Sequence, residues 1–261
     1  MSTGTHSTAT RPARSRSATL AVFRTEALLF RREPGTLFWV GLFPSVLLAI
    51  LGLVPSFREA QPELGGRRTI DLYVPVTLLV AMIMAGLQAL PPLLTGYRER
   101  GILRRMSTTP VRPGALLGSG IALHGAAALI SAALALAVGR LAFGVELPRQ
   151  LLGYTLALVL TLGSALALGC VICSVARTAR IAQVIGSAVF FPMMFSAGVW
   201  APVQAMPETL QHIVQVLPFG AGAQALGQAA AGDWPGWSHL AVMAAWTAVA
   251  GWCAKRFFRW E

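Results

Sequence analysis

Few side chains in this 261-residue chain could carry chemistry, and they are scattered. Glu208, His212 and Asp233 share one segment, but their spacing pairs no nucleophile with a base. No G-x-S-x-G, no H-E-x-x-H and no close carboxylate pair occurs. A P-loop needs a lysine after glycine, and the only lysine, Lys255, follows Ala254. The chain is therefore expected to be no enzyme and to bind neither ATP nor a metal itself. Cys170 and Cys173 share one helical face and suit packing between helices better than redox or metal chemistry. With only three cysteines, all in apolar runs, no disulfide framework is expected. Three further polar residues sit deep in apolar sequence: Gln88, His124 and Gln183. His124 could relay a proton or touch a substrate, but a bond to a neighbouring helix is the simpler expectation. Gln88 and Gln183 read in the same way as hydrogen bonds between helices.

The elements that must position these residues are long apolar runs without a charged residue: 36–54, 72–96, 116–138, 151–175, 181–200 and 237–253. Each reaches or approaches the roughly 20 helical residues that cross a bilayer. The fold class expected is an all-α polytopic membrane protein with six transmembrane helices. Arginines settle the orientation expected of it. Arg11, Arg14, Arg16, Arg24, Arg31 and Arg32 precede the first run, and Arg98, Arg100, Arg104, Arg105 and Arg112 follow the second. Arg177 and Arg180 follow the fourth, and Lys255, Arg256 and Arg259 the sixth. The other side holds only Arg58, Arg67, Arg68, Arg140 and Arg149, the first three among Glu59, Glu63 and Asp71. This bias places both termini in the cytoplasm, and the net charge of +11 is a topology signal with attraction to anionic lipid. Arginines spread over separate loops make a poor nucleic-acid surface. Transporters driven by ion gradients usually carry ionisable groups within their spans, and channels carry filter-like segments. Neither is present.

Residues 1–17 are rich in Ser, Thr, Ala and Arg and read as a disordered tail with no cleavable signal, leaving a membrane domain over 18–261. Leu20, Phe23, Ala27 and Phe30 recur at helical spacing, while Arg24, Glu26 and Arg31 point elsewhere. That is an amphipathic helix in the membrane interface, turned into the first span by Pro34 and Gly35. The second connection, YRERGILRRMSTTPVRPG (97–114), predicts a short helix after Gly101, with Ile102, Leu103 and Met106 on one side and Pro110 and Pro113 ending it. Such a piece suits a groove on a partner protein. Residues 200–233 hold two charges, Glu208 and Asp233, and are broken by Pro202, Pro207 and Pro218. Leu210, Ile213, Val214 and Leu217 give an apolar face to a helix starting at Pro207, and 219–231 can form a second. Neither can span a membrane, so a short outer re-entrant helical pair is expected before the last span.

In this order and spacing the chain resembles the membrane (permease) subunits of type-2 ABC exporters, including the antibiotic-resistance branch. Two segments carry the likeness: YRERGILRRMSTTPVRP, with its E-R-G and later T-P, and SAGVWAPVQAMPETLQHIVQVLPFGAGAQAL at 196–226. The resemblance implies two permease copies, or a close paralogue, assembled with two ATP-binding subunits that hold ATP and Mg. Arg98, Glu99, Arg100, Gly101 and Arg104 would then meet the ATPase, Glu99 offering its charge to a basic residue there. Phe23, Phe30 and Arg31 would brace that interface. Ser196, Gly198, Pro202 and Pro207 would shape the outer gate, and the first and fifth spans would form the dimer contact. The short first outer loop and the few residues after the last span imply no large extracellular or regulatory domain.

The function implied is export of a hydrophobic or amphipathic compound, a drug or antibiotic, across a bacterial cytoplasmic membrane. One lysine among 21 basic residues agrees with a high-GC bacterial origin. The alternatives are export of a lipid or lipid-linked glycan, against which the 8% aromatic content leans, or an ATPase-independent secondary transporter or scaffold.

Overall fold

Apolar runs of this length fold as helices because a lipid environment offers the backbone no other hydrogen-bond partner. The structure, a computed structural model, describes residues 13–62, 66–102, 105, 113–201, 203 and 206–257. Among these the secondary structure is helical apart from an isolated bridge between Ala60 and Arg68. The helices of eight or more residues are α1 (Ala13–Phe30), α2 (Pro34–Leu53), α3 (Thr69–Glu99), α4 (Pro113–Phe143), α5 (Leu151–Val175), α6 (Ala179–Ser196), α7 (Glu208–Gln215), α8 (Pro218–Ala231) and α9 (Trp237–Phe257). Five of them, α2 to α6, are long and apolar enough to cross a membrane. The sixth expected span forms α9, 21 residues long, but Ser238, His239, Thr247 and the closing Lys255 and Arg256 leave it below that mark. Helix α1 begins at Ala13, so it takes in the last five residues of the stretch expected to be disordered.

Two spans contain a π-helical segment, and proline is the cause. In α2 the segment is Leu37–Leu42, with the Phe43 N–H reaching back to the Phe38 carbonyl. Pro44 follows at once. In α3 it is Met84–Ala89, with the Leu90 N–H on the Ala85 carbonyl, and Pro91 and Pro92 follow. A proline has no N–H for the carbonyl one turn back, and its ring crowds that carbonyl. Widening the helix by one residue relieves the clash without breaking the span.

Helix α3 is the axis of the bundle. Its most apolar 18-residue stretch is 83% buried, against 28% for those of α2 and α6. Small residues let its neighbours close in. A Cβ at Gly169 of α5 would strike the Gly86 carbonyl, and one at Gly186 of α6 would strike the Leu87 carbonyl. Leu87 is four residues before Pro91, which has no N–H to offer its carbonyl, and Gly186 rests against that carbonyl. Helices α5 and α9 pack along their lengths, tied by the Ser164 hydroxyl at 2.9 Å from both the Met243 carbonyl and Thr247 Oγ1.

Helices α7 and α8 form the expected short pair, and it dips into the bundle. The Trp246 indole N–H, on the tenth residue of α9, donates to the Val216 carbonyl at the α7–α8 junction (2.8 Å). At 1.5 Å per residue that junction lies about 13 Å below the start of α9. Helix α8 then returns, so that its Ala229 carbonyl accepts from the Gln150 N–H beside the start of α5 (3.1 Å). On α7 Val214 is buried and Leu210 half-buried, with Leu217 half-buried just beyond the helix; Ile213, expected on the same face, is exposed.

Candidate functional site

The end of the bundle that carries Arg24, Arg31, Arg100, Arg177 and Arg180 ties three helices, α1, α5 and α6, to the last turn of α3. Tyr97 donates its hydroxyl to Glu26 of α1 at 2.6 Å. Arg98 donates to the Ala176 carbonyl, which closes α5. Glu99 accepts from the Ala179 N–H at 2.9 Å, and Thr178 accepts from Ile181, so two side chains cap the start of α6. Carboxylates suit that position because the first turn of a helix has free N–H groups and a positive dipole end. Arg100 folds back, Nε to the Gly96 carbonyl at 3.1 Å, with its guanidinium 6.0 Å from the Tyr97 ring. Gly101 then turns the chain at φ +66°, a conformation that side chains resist. Ile102 and Val22 pack on the small core of Leu90, Leu94, Tyr97, Leu116 and Cys173.

Arg98, Glu99 and Arg100 are thus all bonded within the chain, though Glu99 and Arg100 stay exposed; Arg104 lies outside the described residues. On α1, Phe23 and Arg31 are exposed and Phe30 is half-buried, its ring edge-on to His124 at 5.2 Å. Glu26, expected to point away from the apolar side, is buried instead, at 8% exposure, because Tyr97 waits there to bond it. His124 bonds its own helix rather than a neighbour, Nδ1 lying 2.8 Å from the Gly120 carbonyl. The Nδ1 therefore carries the proton.

A second feature lies between α2, α3 and α6: a groove of about 680 Å³. Its walls are the two π segments, through Trp39, Val40, Met84, Gln88 and Ala89, and α6 through Gln183, Ser187, Phe190 and Phe191. Glu33 and Arg100 flank it at the arginine-rich end. The Gln183 amide donates to Gln88 Oε1, and Gln88 Nε2 lies 3.5 Å from Ser187 Oγ. The structure therefore brings Gln88 and Gln183 together, and leaves His124 apart on α4. Aromatic and apolar walls, one amide pair and opposite charges at the mouth suit an amphipathic guest. Sequence reasoning did not single out the π segments. The signal was Pro44 and the Pro91–Pro92 pair inside runs too apolar to be loops.

At the opposite end, Ser196 is fully buried and bonds its own helix, Oγ to the Met193 carbonyl at 2.8 Å. Gly198 turns the chain at φ +82° against Ala201 and Val203. Pro207 is the N-cap of α7, one residue ahead of the first turn, its carbonyl accepting from Leu210 and Gln211. Pro202 lies outside the described residues. Below these turns, a cavity of about 710 Å³ runs between Arg67, Arg68, Asp71, Glu146 and Arg149 and the small residues of α8.

A family model described as "ABC-2 type transporter" matches residues 17–229, from within α1 nearly to the end of α8. No curated protein matches the chain.

Proposed function

Because the chain belongs to the ABC-2 type transporter family, we propose that it is the permease of an ATP-driven exporter for an amphipathic or hydrophobic compound, of the drug or antibiotic kind. A permease of this family is a non-catalytic membrane component that works with an ATP-binding subunit. ATP and Mg belong on that subunit. The observation that carries the reading is the groove between α2, α3 and α6, with aromatic walls, the Gln88–Gln183 pair and the charged mouth. Helices α2 and α6 are also the least buried spans, which leaves them free to meet a second copy of the chain across the groove.

In this reading α9 is the sixth span and the arginine-rich end faces the cytoplasm of a bacterium. The ATPase meets residues 100–105, and α1 braces that segment. Closure of the ATPases on ATP biases the paired permeases between inward- and outward-open arrangements. The groove holds the guest during that change, and the turns at Ser196, Gly198, Pro202 and Pro207 form the outer gate.

The test is purification of the tagged chain in mild detergent from its native host, with ATPase assay and identification of bound chains. A co-purifying ATP-binding subunit is expected, lost or uncoupled in Gly101→Pro, since a proline cannot adopt φ +66°. Cells carrying Gln183→Leu are expected to accumulate amphipathic dyes that wild-type cells exclude. A chain that purifies alone and excludes dyes without ATP would point to a secondary transporter.

A further inference from the structure

Helix α1 touches the bundle along one line, Val22, Glu26 and Phe30, each four residues from the next. The outer two contacts are apolar or aromatic. The middle one is a carboxylate, the one buried acidic group among the described residues. Among those residues no basic side chain forms an ion pair with it, and its partner is the Tyr97 hydroxyl at 2.6 Å. A leucine facing a phenylalanine would fill the same space without desolvating a charge. What the polar pair adds is direction: it holds only when α1 sits in one register on α3. Tyr97 is followed by Arg98 and Glu99, fastened to Ala176 and Ala179 on either side of the α5–α6 connection. Gly101, which turns the chain out of α3, comes two residues later.

We propose that residues 97–99 are a crossbar tying α1 to α6, and that Glu26 is the positioning residue that makes α1 travel with α3. A push delivered at residues 100–102 then reaches α1 through the Tyr97–Glu26 bond and α6 through Arg98 and Glu99. Helix α1 is carried by the span rather than by direct contact with the ATPase. This rests on the exporter reading for the source of the push, but the bond's hold on α1 is testable without it.

Spin labels at Leu20 of α1 and Ile181 of α6, both exposed, read whether the two helices move together. A third at Trp252, exposed on α9, gives a reference. The background carries Cys170→Ala, Cys173→Ala and Cys253→Ala. In nanodiscs, Tyr97→Phe and Glu26→Leu are expected to broaden the Leu20–Ile181 distance distribution about twofold, as a local contact opens. Glu26→Gln, whose amide oxygen still accepts from Tyr97, restores the narrow distribution and also controls for misfolding. With the co-purifying ATPase bound, trapping by ATP and vanadate is expected to shift Leu20–Trp252 and leave Leu20–Ile181 fixed. In Tyr97→Phe the Leu20–Trp252 shift disappears.

An equally narrow Leu20–Ile181 distribution in Tyr97→Phe, or a trapping shift that survives that change, overturns the crossbar. Absence of any ATP-binding subunit would instead sink the exporter reading, while the nanodisc comparison still decides whether Glu26 holds α1.

Discussion

The two ends of the bundle are held together by different chemistry. At the arginine-rich end, side chains reach across the sequence: Tyr97 to Glu26, Arg98 to the Ala176 carbonyl and Glu99 to the Ala179 N–H. At the opposite end the segment from Val199 to Ala231 contributes mainly its backbone. Its carbonyls at Val199, Val216 and Ala229 accept from Tyr73, Trp246 and Gln150, and its Gly220 lets α8 close against the Val214 main chain. A side-chain lock can be released by a change of rotamer or by water. A glycine seat has two outcomes, fitted or clashing. The first kind suits a part that must shift as a unit, the second a part that must keep its shape.

Breaking the backbone-held end takes only a methyl group. A Cβ at Gly220 would land on the Val214 carbonyl at the α7–α8 junction, and backbone there cannot step aside as a flexible side chain could. Gly220→Val is expected to destabilise the protein by about 3 kcal/mol, the upper part of the overpacking range, and to be recovered from detergent poorly or not at all. Its melting temperature and its elution profile check this. An unchanged melt would mean that α8 is free to slide, and the contrast between the ends would fail.

At the arginine-rich end the expected effect is smaller and graded. Arg98→Ala leaves the carbonyl of buried Ala176, at the end of α5, without its charged donor, a loss of about 2 kcal/mol. Glu99→Ala removes a helix cap at an exposed site and costs about 1 kcal/mol. Both proteins are expected to purify with normal elution while, in the exporter proposed above, ATPase activity ceases to respond to cargo. The two residues fasten the same connection, so the double variant should lose less stability than the two losses added. Strict additivity in thermal melts would show that they do not act as one lock.

These differences explain what was legible in the sequence. Five spans and the dipping pair α7–α8 follow from apolar length and from Pro207 and Pro218, which are local signals. The π segments also have a local cause, the prolines at 44, 91 and 92, but apolar periodicity alone does not register a one-residue widening. Glu26 is the clearest misreading. On an amphipathic helix a charge is read as facing water, and only a hydroxyl 71 residues away makes its burial tolerable. Arg98 and Glu99 read as contacts for a partner ATPase because their partners within the chain, a carbonyl and an N–H about 80 residues on, are main-chain groups that every sequence has. Side-chain locks between distant elements are invisible until the helices are placed.

The smallest expected effect tests whether charge by itself matters at the backbone-held end, where two arginine–carboxylate pairs lie within one cavity. Arg149 meets Glu146 at 2.7 Å, but both side chains are about two-thirds exposed, at 65% and 69%. Arg68 meets Asp71 at the same distance with 29% and 30% exposed, and it also donates to the Phe143 carbonyl at 3.1 Å. The hydrogen bond to Asp71 raises the Arg68 pKa above its ordinary value, against a lowering by burial, so the guanidinium stays charged. Water screens the first pair and competes for its partners, so Arg149→Ala should change stability by less than about 0.5 kcal/mol. Arg68→Ala should cost about 1 to 2 kcal/mol, because it leaves the main chain at the end of α4 without a donor. Melts of the two variants side by side check the order. If Arg149→Ala were the more damaging, long-range charge rather than main-chain bonding would hold this end, and the distinction between the two ends of the bundle would collapse.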